Sequence, residues 1–229
     1  QGVIIDEAQR APELFSYLQS IVDQNRKPGQ FILTGSQNFL LHHQINQSLA
    51  GRVAVLKLLP LSLEELKQKK RNYEHYLYFG FYPKLYDSQI SPTDWYANYI
   101  QTYIERDVRQ LKNISDLATF QKFIKMCAAR SGQLLNLTAL ADDCGITHNT
   151  AKAWLSVLEA SFIIFLLKPH HQNFNKRLVK SPKLYFYDVG LTANLLGITS
   201  PDQLTNHYLK GDLFETLSLI HISEPTRPL

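Results

Sequence analysis

The chain is poor in residues that mark several protein classes. Its 229 residues include two cysteines, one methionine and two tryptophans, with no internal repeat or low-complexity tract. Cys127 and Cys144 lack metal-ligand spacing and are too few for a disulfide framework, which suits a reducing cytoplasm. No apolar run approaches the roughly 20 residues of a membrane-spanning helix. The longest, "FIIFLL" from Phe162 to Leu167, is strand-sized, so no membrane partner is expected. No secretory leader is visible, and a chain without its own start would not show one. Acids are missing altogether from Ala160 to Tyr187, a stretch that holds Lys168, Lys176, Arg177, Lys180 and Lys183. The mild net charge of +4 therefore hides a locally basic segment.

What remains is the 45% hydrophobic, 19% charged composition of a globular protein, long enough for one or two domains with a real core. "VIID" (Val3 to Asp6) has the continuous apolar character of a buried parallel strand. "APELFSYLQSIVDQ" places Leu14, Leu18, Ile21 and Val22 on one helix face. "GQFILTGS" (Gly29 to Ser36) is a second buried strand ending in a polar turn, so the order is strand, helix, strand, the unit of a parallel sheet. A helix up to Leu49 stops at Gly51, and a third strand, "VAVLKLLPL", is closed by Pro60. Ser62 with Glu65 three residues on is a capping box at the head of the next helix. Beyond it the periodicity is helical from Thr93 to Leu111 and from Thr119 to Gly132. "SPKLYFYDVGLTANLLG" then reads as a strand, an acid and a short helix.

An aliphatic strand delivering adjacent acids, Asp6 and Glu7, at its carboxyl end has the form of a Walker B element, at the edge where ligands of open α/β sheets bind. In that chemistry Asp6 holds Mg²⁺ through its water shell, because the ion takes hard oxygen ligands and keeps several waters. Glu7 polarises the water that attacks the γ-phosphate. The structural alternative is that Asp6 caps the following helix and Glu7 complements its positive end. The neighbouring strand ends in "LTGS", which puts the Thr34 and Ser36 hydroxyls on the same edge as sensor groups. Arg52, in "LAGR", is a candidate arginine finger, acting in cis or from a neighbour, or else a solvated arginine after a helix-ending glycine.

"VIIDEAQRAPELF", "FILTGSQNFLL", "SLAGRV", "LLPLSLEEL", "FGFYPKLY", "YIQTYIERDV" and "KLYFYDVGL" in this order resemble the prokaryotic AAA-type ATP-binding proteins that carry a C-terminal domain of unknown function, number 4143. The resemblance covers Val3 to Thr216. It implies that Asp6 and Glu7 are Walker B acids, that the "LTGS" hydroxyls are the sensor region, that Arg52 is the family's Gly-Arg arginine, and that ATP and Mg²⁺ are the ligands. It implies no role for "FGFYPKLY" or Asp188. One departure is large: the Gly-rich loop with Lys and Ser or Thr belongs several tens of residues before Walker B, and nothing precedes Gln1. These residues alone are therefore expected to bind ATP negligibly and to be inactive, whereas the intact protein is expected to be an ATP hydrolase. At the other end, "LSLIHISEPTR" (Leu217 to Arg227) resembles a translated sequencing-library adapter, so the natural sequence is expected to stop near Thr216, inside the start of a further module led by Glu215.

"LTALADDCGITHNTAKAWLSVLEASFIIFLLKP" (Leu137 to Pro169) fits a winged helix-turn-helix. Ala141 is small at the helix crossing, Gly145 permits the turn, and Ile146, Ala151, Leu155 and Leu158 face inward. The recognition helix exposes His148, Asn149 and Lys152, and the acid-free run with Lys176 and Arg177 forms the wing. Lysines and Arg177 can meet phosphates of double-stranded DNA, while Asn149 or Lys152 can reach base edges. The alternative is a structural module with solvated lysines. Trp154 is assigned to the core, and the pairs His42-His43 and His170-His171 to the surface.

The expected architecture is α/β plus α. It comprises part of a parallel P-loop ATPase sheet (1–70), a helical lid (71–115), a winged helix-turn-helix (116–190), the start of a truncated C-terminal domain (191–216) and an artefact tail (217–229). The rival reading is a non-catalytic DNA-binding or protein-interaction module regulated by nucleotide. A protein partner or a homo-oligomer fits either.

Overall fold

The computed structural model describes residues 2–25, 27–35, 45–66, 71–104, 116–169 and 181–222. The chain divides into two compact units, Gln1–Leu58 and Leu59–Leu229.

In the first unit, β1 (Val3–Ile5) and β2 (Phe31–Leu33) pair in parallel, Val3 opposite Phe31, Ile4 opposite Ile32 and Ile5 opposite Leu33. Parallel strands need a crossover, and α1 (Pro12–Gln24) supplies it. Pro12 suits the first helical turn, where its missing N–H costs nothing, and Glu13 complements the helix dipole. Phe15 and Leu18 of α1 pack with Ala8, Ile45 and Leu49, and with the less buried Ile5, Phe31 and Leu33. Side chains alternate across a strand, so Ile4 and Ile32 take the opposite face, where they are 71% and 56% exposed.

The third strand expected in "VAVLKLLPL" is not formed. Residues 53–59 carry no strand pairing, Leu58 is 98% exposed, and the described residues of this unit hold only the β1–β2 pair. An apolar run can be extended, but it becomes a strand only when a neighbour takes its backbone N–H and C=O groups.

The second unit begins with the reciprocal hydrogen bonds of the expected capping box, but residues 63–66 form a turn and the helix expected after it is not formed among the described residues. The Ser62 N–H donates to Glu65 Oε2 at 2.8 Å and the Glu65 N–H donates to Ser62 Oγ at 3.2 Å. Three short helices follow: α2 (Tyr73–Phe79), α3 (Pro83–Asp87) and α4 (Pro92–Tyr99). Then come α5 (Leu117–Ala128), α6 (Leu137–Cys144) and α7 (His148–Ala160), capped by Asp116, Asn136 and Thr147, whose side chains each accept a backbone N–H from the first turn. Between α6 and α7 Gly145 sits at φ 71°, a conformation that L side chains avoid. Ala141, Ala151, Leu155 and Leu158 are buried. Trp154 joins them, its ring 5.2 Å from Phe120 and 5.3 Å from Phe123, edge to face. β3 (Ile164–Leu167) and β4 (Lys183–Phe186) form an antiparallel pair against this core.

After β4, α8 (Val189–Leu195) is almost wholly buried and joins two cores. Leu191 and Leu195 pack with α5–α7, while Val189 and Ala193 pack with Leu77, Phe81, Leu204 and Leu213. α9 (Lys210–Ile222) closes the second core through Leu213 and Leu217, so its helix continues into the residues read from sequence as a tail. On α9, Glu215 accepts hydrogen bonds from Lys183, at 2.7 Å, and from Tyr185.

The hub of this unit is Asp188, the N-cap of α8, which is 1% exposed. It accepts hydrogen bonds from Tyr96 Oη at 2.6 Å, the Leu191 N–H at 2.7 Å and the Phe81 N–H at 2.7 Å. The backbone must approach closely to allow this. A Cβ on Gly80 would lie 1.9 Å from Tyr96 Oη, and one on Gly190 would lie 2.7 Å from the Gly80 backbone. Burial pushes the Asp188 carboxyl pKa up, against the opposing pull of Tyr96 and the Leu191, Phe81 and Gly190 N–H groups. Burial, and then the Asp188 charge, pushes the Tyr96 phenol well above its ordinary range, so it stays a donor.

Candidate active site

At the carboxyl edge of the parallel pair, the turn after β1 is stitched to the residue after β2. The Thr34 N–H donates to Ile5 O at 2.9 Å, the Ala8 N–H donates to Thr34 O at 3.0 Å, and the Thr34 hydroxyl donates to Asp6 Oδ1. Asp6 Oδ1 also takes the Glu7 N–H at 3.0 Å. Among the described residues both bonds to the exposed Asp6 carboxylate fall on Oδ1. A partly engaged, solvent-facing carboxylate beside a hydroxyl is a hard-oxygen donor set that fits Mg²⁺ held through water.

Glu7 occupies the left-handed region at φ 51° and ψ 41°, shared among described non-glycine residues only with Phe162. Such a backbone costs about 1 kcal/mol or more and persists where its surroundings over-determine it, often at functional sites. The Glu7 side chain is about one-third exposed. Its Oε2 accepts from Gln9 Nε2 at 2.8 Å and lies 3.6 Å from Arg10 Nε. Gln9 is a residue that sequence reasoning passed over. The available signal was an amide two residues after the acid, in a three-residue turn (Ala8–Arg10) whose first two members are buried.

Arg52 is placed elsewhere. Its Nε and Nη2 hold Asp23 Oδ1 and Oδ2 at 2.6 and 3.1 Å, a bidentate fork, and the Asp23 hydrogen bond pushes the Arg52 pKa up. Asp23 lies in the last turn of α1, whose first turn follows the Asp6–Glu7 corner. At 1.5 Å per residue the two ends of α1 are about 18 Å apart. Asp6, Glu7 and Thr34 are thus brought together and Arg52 is not. Ser36 lies outside the described residues.

In the second unit His148, Asn149 and Lys152 lie exposed on α7, as their helical spacing requires. His148 and Lys152 line an open groove of about 720 Å³ with Leu134, Asn136, Ser156 and Pro182. Glu159, on the same groove, has its carboxyl pKa pushed up by burial, with Lys168 opposing. Lys176, Arg177 and the two histidine pairs fall outside the described residues. Both cysteines are buried and unpaired, and burial pushes the Cys127 thiol strongly up. Among the described residues no helix is long and apolar enough to cross a membrane.

Comparison with known proteins divides the chain in a similar way. Residues 1–67 match the AAA domain, and residues 70–202 match a domain of unknown function, number 8612. The second match corrects the expected domain 4143. The segment that carries "FGFYPKLY" and "YDVGL" lies within this domain, and motifs as short and loose as these do not separate it from domain 4143. Uncharacterized proteins of Mycobacterium tuberculosis and Mycobacterium bovis are each 34% identical over 197 residues, covering 86% of this chain and 44% of their own. An uncharacterized protein of Haemophilus influenzae is 22% identical over 183 residues, covering 72% of this chain and 46% of its own. The chain therefore spans less than half the length of the curated relatives it matches. No solved structure matches it.

Proposed function

Starting from a chain that belongs to the family defined by domain of unknown function 8612 and carries an AAA-type segment at residues 1–67, we propose that the intact protein hydrolyses ATP at the carboxyl edge of β1 and β2. The observation that carries the reading is the bond from Thr34 to Asp6, which joins a hydroxyl and a carboxylate from adjacent parallel strands where α/β sheets bind ligands. Asp6 holds the metal through its water shell and Glu7 polarises the attacking water. Thr34, with Ser36, contacts the γ-phosphate or that water. Magnesium, when bound, neutralises phosphate charge. None of the 229 residues forms a Gly-rich loop followed by Lys and Ser or Thr, so residues outside them cradle the phosphates. Arg52 acts in cis or from a neighbouring copy, and its tie to Asp23 at the far end of α1 favours the neighbour.

The test is steady-state ATP turnover by the full-length protein. Glu7→Gln lowers kcat by about 100-fold or more. An unchanged kcat ends the ATPase reading in favour of a nucleotide-regulated module without turnover. The 229 residues alone bind ATP negligibly.

The second unit supports a further reading. Two helices joined at Gly145, followed by an antiparallel pair, have the order of a winged helix-turn-helix, with His148, Asn149 and Lys152 outward on α7. Weak contact with DNA phosphates, reinforced by Lys176 and Arg177, follows from it. Binding to duplex DNA then weakens with salt, and neutralising Lys176 and Arg177 flattens that dependence. Salt-independent binding removes the DNA role and leaves a structural module.

A further inference from the structure

Gln9 has no assigned part in the chemistry above, yet it is buried where Asp6, Glu7 and Thr34 are not. It is 8% exposed, and its Nε2 donates to Glu7 Oε2 at 2.8 Å. The orientation of the amide is forced, because a carboxylate only accepts, so the nitrogen must face Glu7 and the oxygen must face the other way. That other way is the backbone after β2. A Cβ built on Gly35 would lie 2.2 Å from Gln9 Oε1, so Gly35 and the amide are in direct contact. Gln9 thereby spans the edge from the turn after β1 to the residue that follows Thr34.

Two features argue that the amide serves more than packing. Among the described residues Gln9 Oε1 is buried without a hydrogen-bond donor, a condition native proteins keep rare. A leucine fills a similar volume and leaves no acceptor unpaired, so the amide is useful here for what its nitrogen does. The second feature is the left-handed backbone of Glu7, which aims the acid from a strained corner. A Glu side chain has three torsions, and on a partly exposed residue they stay loose unless a fixed partner holds the carboxylate. Gln9 is a partner of that kind, buried and wedged against Gly35, whereas Arg10, 3.6 Å from the same oxygen, has a largely exposed side chain.

We infer that Gln9 is the positioning residue of this site, fixing the Glu7 carboxylate so that it meets the attacking water in one orientation. The inference rests on the ATPase reading, since it assigns Gln9 a role only through Glu7. Gln9 is buried, and its amide nitrogen is spent on Glu7, so in this role it acts through Glu7 alone. Its loss therefore lowers kcat and spares KM, as misorientation of a catalytic group does.

The experiment measures kcat and KM for ATP, and the pH profile of kcat, in the full-length protein carrying Gln9→Leu, Gln9→Asn or Gln9→Glu, with Glu7→Gln alone and combined with Gln9→Leu. Gln9→Leu keeps the packing without the donor, and Gln9→Asn is one methylene too short to reach. Both lower kcat by about 10- to 100-fold with KM changed less than about twofold. Gln9→Glu sets a second carboxylate against Glu7, so one of the pair titrates higher and the acid limb of the kcat profile moves up by about one pH unit. Adding Gln9→Leu to Glu7→Gln costs nothing further, because the two act as one unit. If Glu7→Gln abolishes turnover while Gln9→Leu leaves kcat intact, or the Gln9→Glu profile overlays that of the wild type, the role of Gln9 is overturned and the ATPase reading stands. If Glu7→Gln itself leaves kcat unchanged, both are overturned. A purely structural Gln9 lowers the yield of folded protein and leaves kcat per folded molecule of Gln9→Leu and Gln9→Asn unchanged, which also overturns the inference.

Discussion

Asp6 and Asp188 occupy the same position in their local patterns, each after an apolar strand and ahead of a helical segment, in "VIIDEAQ" and "LYFYDVG". Asp188 is buried, with both oxygens engaged by donors from three segments of the second unit. Asp6 is exposed and, among the described residues, uses one oxygen, for the next residue's N–H and for Thr34. The difference lies in what each strand meets. β4 runs into the contact between α8, α4 and the turn at Gly80, where every donor needs an acceptor. β1 ends at the rim of a parallel pair, where a carboxylate stays hydrated and available. A strand followed by an aspartate thus marks either a buried hub or an exposed sheet edge, and burial separates the two.

The largest test of that contrast is removal of each carboxylate. Asp188→Ala strands the Phe81 and Leu191 N–H groups in the interior, each at roughly 1–3 kcal/mol, and leaves Tyr96 Oη only the Phe79 carbonyl. The second unit should lose about 4 kcal/mol or more in chemical denaturation followed by circular dichroism. Asp6→Ala should stay within about 0.5 kcal/mol in the same assay, as exposed substitutions usually do, while abolishing turnover in the full-length protein. Equal losses of stability would erase the distinction.

Tyr96→Phe removes one donor and leaves the carboxylate two others. An intermediate loss of about 1.5–3 kcal/mol is expected, with the unit still folded. A neutral result would mean that the backbone donors alone carry the hub.

pH dependence gives a smaller but signed effect. Burial raises the Asp188 pKa in the folded state, so the group's contribution to stability is complete below the ordinary aspartate range and is lost as pH rises through the raised value. The stability gap between wild type and Asp188→Asn is therefore widest in acid and narrows as pH climbs. A gap that widens with pH would show that the hydrogen bonds outweigh burial.

The smallest effect is expected at Arg52. Its fork with Asp23 is exposed, and exposed pairs contribute little, so Arg52→Ala should leave the unfolding midpoint of the first unit where it was.

Sequence reading succeeded where the cause was local. The strand-helix-strand order, the Ser62–Glu65 capping box, the turn at Gly145 and the burial of Trp154 all follow from periodicity, short-range hydrogen bonding or backbone conformation, and the structure contains each. The reading failed at Val53–Leu59, because apolar character does not provide a partner strand. It also left "FGFYPKLY" and "YDVGL" without roles, because their meaning is a contact between Phe81 and Asp188 across 107 positions. At the candidate site Asp6, Glu7 and Thr34 were legible from their placement at strand ends. Gln9 was not, since a glutamine beside two acids looks like any polar turn residue until its burial is seen.

The amino-acid sequence by itself thus determined the first strand-helix-strand unit, the caps and turns of the later helices, and which residue types stand at the carboxyl edge of the parallel pair, since these depend on interactions within a few residues. Tertiary structure alone decided that Asp188 is enclosed and Asp6 is not, that the buried Gln9 amide lies between Glu7 and Gly35, and that Arg52 is tied to Asp23. Burial and hydrogen-bond partnership are properties of distant chain segments meeting, and residues far apart in sequence carry no local mark of where they will meet.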